Sequence, residues 1–278
     1  MKARLCWSMQ VGRHKLGTMK DLFGRRGLSI VIFLLCVALL AFGVLRYATH
    51  QGMAQLSARA NADLALASDR LVGQLQRYRD LAVVMAKHPQ VVAVLTDNAR
   101  PQDRQLLRSV ADRAAALDVM VIDRTGRVRA AAEDGAGSNN ARAFVRRALN
   151  GALGRGYGAE ANAGRSYFYA APVFGEGGAV LGALVVSTDL SSVDYAWRGD
   201  TPPVFFTDGS GQVQVSNRSE LVLWQRPSGA PGLQPPSGVT PEFVASYIGG
   251  HEIWQIGWGP YLPREALHLT QELPVIGM

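Results

Sequence analysis

The run Leu28-Ser-Ile-Val-Ile-Phe-Leu-Leu-Cys-Val-Ala-Leu-Leu-Ala-Phe-Gly-Val-Leu45 constrains this chain more than any other feature, because 18 residues pass without a charge. At about 1.5 Å per residue a helix over it spans about 27 Å, close to the ~30 Å hydrocarbon core of a bilayer. Lys2, Arg4, Arg13, Lys15, Lys20, Arg25 and Arg26 precede it, and Arg46 and Tyr47 follow. That asymmetry predicts a transmembrane helix over 28–46, with 1–27 a basic cytoplasmic tail and everything after about residue 47 outside. The rival reading is a cleaved signal peptide with Ala41-Phe42-Gly43 as its site, but the apolar run exceeds the usual core of about 7–15 residues.

The formal charge of +7 suggests nucleic acid until it is localised. Seven of the 29 Lys/Arg lie in residues 1–27 beside a single acid, Asp21, leaving 22 basic against 21 acidic residues in the remainder. The basicity belongs to the tail, and no nucleic-acid partner is expected. Two cysteines, Cys6 and Cys36, exclude a disulfide framework and a zinc cluster, and no metal site is expected.

Beyond the membrane run, residues 48–88 read as one long helix. Leu56, Ala60, Leu64, Leu71, Leu75, Tyr78, Leu81 and Met85 recur at helical spacing until His88-Pro89 stops it. Such a rod carries enough apolar surface to pack along a globular domain and also to form a dimer seam. Pro101–Leu117 reads as a second helix, so 47–118 is stalk and second helix. The period then changes. Val119–Ile122, the turn Asp123-Arg-Thr-Gly126 and an alternating run to Ala132 predict a hairpin. The construction recurs with Val204–Phe206, Asp208-Gly-Ser-Gly211 and Gln212–Ser216, both copies reading Asp-x-x-Gly-x-Val. Asp accepts N–H bonds from the turn and Gly supplies positive φ, so the repeat points to a duplicated module. Between the hairpins we expect a helix over 140–150, a glycine-spaced loop over 151–164, strands over 166–173 and 179–187, and a connecting helix over 189–197. After the second hairpin we expect a loop over 225–240 and a short helix over 241–247 with Thr240 as N-cap. The fold class is α+β, with one module over 119–190 and a second over 191–278.

These residues resemble the double-Cache (PAS-like) extracytoplasmic sensors of C4-dicarboxylate-type sensor histidine kinases. The resemblance is carried by Ala143-Phe144 with Arg147–Gly151, by Gly164–Val173, by Gly182–Leu190 with Trp197, and by Asp208–Trp224. It implies a membrane-distal module (119–190) that holds a small organic anion and a membrane-proximal one (191–278). Carried onto this chain, it implies a ligand site at Arg147, Tyr157, Ser166, Tyr167, Tyr169 and Ser187. Arg147 would clamp a carboxylate and the hydroxyls would complete the pocket. The hydroxyl-rich stretch that the resemblance implies before Gly164 reads Glu160-Ala-Asn-Ala163, and its lysine is Ser187, so either the ligand carries less negative charge or the module does not bind a dicarboxylate at all. The resemblance also implies a bacterial inner membrane with residues after about 47 periplasmic, a homodimer through the long helix, and output to a response regulator through a kinase core. ATP and Mg would bind only in that core. No cofactor is expected here. The alternatives are the sensor part of a chemoreceptor or of a cyclic-dinucleotide enzyme, and a stand-alone anchored solute-binding protein.

Other motifs lack their context. His251-Glu252 opens like a phosphoacceptor box but runs into Trp254-Gln-Ile-Gly-Trp-Gly259, a poor helix, and is expected in a strand. The spaced glycines of 151–158 have no strand-then-helix setting for a dinucleotide. No phosphate loop or hydrolase elbow is present, so no catalytic residue is assigned. Leu273-Pro-Val-Ile-Gly-Met278 is an apolar run without an evident turn or capping signal, and the chain is expected to be a fragment ending before a kinase core.

Overall fold

In the computed structural model, residues 17–97, 100–133, 142–160, 164–199, 202–239, 241–256 and 262–278 are described. The chain divides into two compact units, Met1–Leu56 and Ser57–Met278. Helix α1 (Gly17–Met85) begins in the first and ends in the second. In the first unit the apolar stretch is exposed throughout, from Leu28 to Leu45. Among the described residues it belongs to the one helix long and apolar enough to cross a membrane.

In the second unit the stripe expected on the long helix does bury, through Leu71, Leu75, Tyr78, Ala82 and Met85. Leu56, in the first unit, is exposed. Helix α1 ends before Pro89, and that proline opens a further helix, α2 (Pro89–Thr96), which the sequence reading did not separate. Proline is favoured at the first helical position because its missing N–H would be unpaired there anyway. His88 caps α2 by accepting from Gln90 N–H at 3.3 Å. Helix α3 (Pro101–Ala114) stops three residues short of the expected Leu117 as Ala115 turns left-handed at φ 51°.

The core of the unit is a five-stranded antiparallel sheet in the order β2-β1-β5-β4-β3: β1 (Asp118–Asp123), β2 (Val128–Ala131), β3 (Gly154–Glu160), β4 (Gly164–Phe174) and β5 (Val180–Asp189). One face packs on α1, α2 and α3 through Val119, Val121, Tyr167, Tyr169, Leu184 and Val186. The other packs on α4 (Ala143–Leu149) through Met120, Ile122, Phe168, Ala170, Ala183 and Val185. Alternation along each strand sends successive residues to opposite faces.

The expected loop over 151–164 is corrected: Gly154–Glu160 is strand β3, paired from Gly154↔Ala170 to Glu160↔Gly164. Its glycines are spaced for a strand because one face lies against α4. A methyl at Gly154 would fall 1.9 Å from the Phe144 carbonyl oxygen, and one at Gly156 would fall 2.8 Å from the Phe144 ring. Period-2 glycine on an edge strand has the same composition as a loop, which is why composition alone does not reveal the strand.

Helix α5 (Leu190–Trp197), capped by Asp189, leads to the second hairpin, β6 (Phe205–Thr207) and β7 (Val213–Ser216). The two Asp-x-x-Gly turns are built alike. Asp123 Oδ1 accepts from Thr125 N–H (2.8 Å), Thr125 Oγ1 (2.6 Å) and Arg127 N–H (3.1 Å). Asp208 Oδ1 accepts from Ser210 N–H (2.8 Å), Ser210 Oγ (2.6 Å) and Gln212 N–H (3.1 Å). Burial pushes each carboxyl up, but these bonds together hold both below the usual range. Gly126 and Gly211 take φ 83° and 86°.

A second correction concerns 241–247. Phe243–Ile248 is strand β8, paired with β9 (His251–Ile256), and β10 (Glu265–Leu267) completes a three-stranded sheet. Thr240, the expected N-cap, lies outside the described residues. Gly249 and Gly250, at φ 60° and 86°, form a two-residue hairpin connection, a signal the sequence carried. His251-Glu252 sits in β9, as expected.

Candidate ligand-binding site

The sheet divides the six residues that the resemblance implied. Tyr157, Tyr167 and Tyr169 face the α1 side, ring against ring: Tyr157 and Tyr167 lie 4.9 Å apart at 71°, Tyr167 and Tyr169 5.0 Å apart at 70°. Ser166 and Ser187 share the α4 face with Phe168, since Ser187 pairs with Phe168 across the sheet and Ser166 alternates with Tyr167. Arg147 is an exposed residue of α4 whose Nε donates to the Leu153 carbonyl at 2.9 Å. The six therefore do not form one cluster.

What the α4 face gathers is different. Arg142, the residue before α4, lays its guanidinium 4.7 Å from the Phe168 ring centre and 5.8 Å from that of Phe144, and those two rings stack at 4.9 Å. A methyl at Gly158 would meet the Phe168 ring at 3.0 Å and Arg142 Nη1 at 3.7 Å, so the glycine clears this corner. Across the ladder from Gly158 stands Ser166, fully buried, its Oγ without a hydrogen-bond partner. Burying a hydroxyl unpaired costs free energy, so such a group invites a ligand oxygen. Ser187 Oγ lies 3.5 Å from the Asp118 carbonyl, to which it donates. Asp118 opens β1 on the same face, and burial pushes its carboxyl up against three N–H bonds that pull it down.

A guanidinium over an aromatic pair, on a sheet face that also carries two serine hydroxyls, can bind a carboxylate, with charge from the arginine and hydrogen bonds from the serines. The resemblance implies Arg147, whereas the arginine over this aromatic pair is Arg142. The signal available was Arg142-Ala-Phe144, an arginine ahead of a helix whose first aromatic packs inward.

No family model matches the chain. Among curated proteins it is 28% identical over 206 residues to the C4-dicarboxylate transport sensor protein DctB of Pseudomonas aeruginosa, covering 69% of this chain and 33% of that protein. It is 26% identical over 200 residues to the protein of that name from Rhizobium meliloti, covering 68% and 32%. The chain is homologous to the DctB sensor proteins. It spans about one third of the length of these relatives. The solved V. cholerae histidine kinase DctB sensor domain has the same fold, with TM-score 0.63 and 19% identity over 79% of this chain and 93% of that domain. The Campylobacter jejuni chemoreceptor Tlp3 ligand-binding domain, solved with L-valine, aligns at TM-score 0.50 and 12% identity over 74% and 89%. The double-Cache reading and the α+β fold of a DctB sensor domain therefore stand.

Proposed function

We propose that this chain is the input part of a membrane-anchored periplasmic sensor and binds a small organic carboxylate on the α4 face of its five-stranded sheet. In this reading the apolar stretch of α1 is the anchor, residues before it are cytoplasmic, and residues after about 47 are periplasmic. The five-stranded sheet forms the membrane-distal module and the β6–β10 region the proximal one. Output runs through a histidine kinase core and a response regulator outside these 278 residues, with ATP and Mg bound there. The chain works as a dimer along α1.

One observation carries the ligand site: the buried, unpartnered Ser166 hydroxyl on the sheet face that also holds Arg142 over Phe168. Homology to the DctB sensors supports the periplasmic sensor role. The ligand orients its carboxylate to Arg142 and Ser166. Binding drives a signal only to the extent that it favours one conformation of the sensor over another.

The test is calorimetric titration of the full chain in detergent with succinate and, separately, propionate. Arg142→Ala is expected to weaken binding of the carboxylate that binds by roughly ten- to a hundredfold, the loss of one charged hydrogen bond of about 1.5–3 kcal/mol. Arg147→Ala is expected to leave it unchanged. Equal affinity in Arg142→Ala, or binding of neither carboxylate by the native chain, would sink the reading.

A further inference from the structure

The tyrosine side of β3 holds a piece of the chain from far away in sequence. Leu273–Met278 folds into a tight loop: Gly277 N–H donates to the Leu273 carbonyl at 3.0 Å, Ile276 N–H to the same oxygen at 3.2 Å, and Gly277 takes φ 78°. Gly277 is the turn signal that the apolar run carried. Ile276 is fully buried and Leu273 nearly so. The hydroxyls of Tyr157 and Tyr167 both donate to the Ile276 carbonyl, at 3.1 and 2.9 Å. Arg155 Nη2 donates to the Pro274 carbonyl at 2.6 Å. Burial pushes both phenols far above their ordinary range, so they remain donors throughout physiological pH. On the far side of the loop, Ser68 of α1 donates to Gln271 Oε1 at 3.4 Å.

Strand β3 is thus held on both faces by alternate residues. Gly154, Gly156 and Gly158 lie against Phe144, Phe168 and Arg142, while Arg155 and Tyr157 grip the 273–278 loop. Like β2 at the other edge of the sheet, it has a single strand partner, β4, and so lacks a second ladder to fix it.

We propose that Leu273–Met278 is a latch on β3, and that events at the Arg142 corner of the α4 face are passed through this strand to the chain that follows β10. The proposal rests on the reading of that corner as the ligand site. A carboxylate drawing Arg142 off Phe168 changes what packs on Gly158, and Tyr157, one residue away on the other face, moves with the strand. The Ile276 carbonyl then gains or loses its two phenol donors.

The experiment is hydrogen exchange read at the amides of Ile276, Gly277 and Met278 in the full chain in detergent, with and without saturating succinate, binding being checked by calorimetry. The native chain is expected to protect these amides at least about tenfold over a free peptide, with succinate changing the protection at least about threefold. Tyr157→Phe with Tyr167→Phe keeps the rings and is expected to bind succinate within about twofold of native while the exchange response disappears. Bound succinate with no change in exchange in the native chain would overturn the latch, as would unprotected amides there.

A second arm needs no ligand. Gly158→Ala pushes on Phe168 and Arg142 and is expected to change exchange at 276–278 by a similar factor. If neither succinate nor propionate binds but Gly158→Ala moves the exchange, the site reading fails and the coupling through β3 stands. If Gly158→Ala leaves the exchange as in the native chain, the latch is overturned whether or not succinate binds.

Discussion

Replacing Asp118 separates the role of its oxygen from the role of its charge. The side chain is 4% exposed at the start of β1. Its Oδ1 accepts from the N–H groups of Val119 (2.7 Å), Ala132 (3.1 Å) and Glu133 (3.1 Å), tying β1 to the end of β2. Ala132 N–H has a second acceptor in the Val119 carbonyl at 3.0 Å, and Glu133 is exposed to water. Asp118→Ala therefore strands chiefly the Val119 donor and removes bonds to a charged acceptor, an expected cost of about 2–4 kcal/mol. Asp118→Asn keeps an Oδ1 acceptor and removes a buried charge, so it is expected within about 1 kcal/mol of native at pH 7. The sign with pH follows from burial raising the folded-state pKa. Between that raised value and the unfolded one near 3.9, the folded protein binds the extra proton, so this contribution to stability grows as pH falls. The native chain is thus expected to gain on Asp118→Asn from pH 7 down to about 4. Urea unfolding of the full chain followed by near-UV circular dichroism between these pH values provides the readout. An Asn variant as unstable as the Ala variant, or a native advantage that shrinks on acidification, would refute the reasoning.

Arg165 of β4 reaches Asp194 of α5 and the Gln214 carbonyl of β7, and Asp194 also accepts from Ser216 N–H at 2.9 Å. The pair is mostly buried, with side chains 16% and 6% exposed. Arg165→Ala is expected to cost about 3–5 kcal/mol, because it leaves an uncompensated buried carboxylate, and the urea midpoint reports it. Gly154→Ala drives a methyl into the Phe144 carbonyl and is expected to cost at least about 2 kcal/mol in the same assay, whereas Gly177→Ala, with open space around it, should cost under about 1 kcal/mol.

Parts of this fold were legible because their cause is local. The two Asp-x-x-Gly turns could be read at once, since every hydrogen bond that defines them lies within four residues of the aspartate. The stripe at Leu71, Leu75, Tyr78 and Met85 followed from helical period alone. Where local signals compete, the reading went astray. Gly154-Arg-Gly-Tyr-Gly158 has loop composition, and only the approach of Phe144 makes glycine the residue a strand needs there. Phe243–Ile248 looked helical after Pro241, although Gly249-Gly250 already marked a hairpin.

The site shows the same division. The resemblance implied residues on β3, β4 and β5 among others, and of these Ser166 and Ser187 share a face. It could not say that Tyr167 and Ser166, neighbours in sequence, stand on opposite sides of a sheet with different partners. The apolar helix, the repeated turns and the alternation along each strand follow from local order in the chain, because each depends on bonds or contacts a few residues apart. Which face received Arg142 and which received Ile276 was set by packing between distant segments, up to 119 residues apart for the Tyr157–Ile276 bond. A strand's period specifies two faces, and what covers each is settled by the rest of the chain.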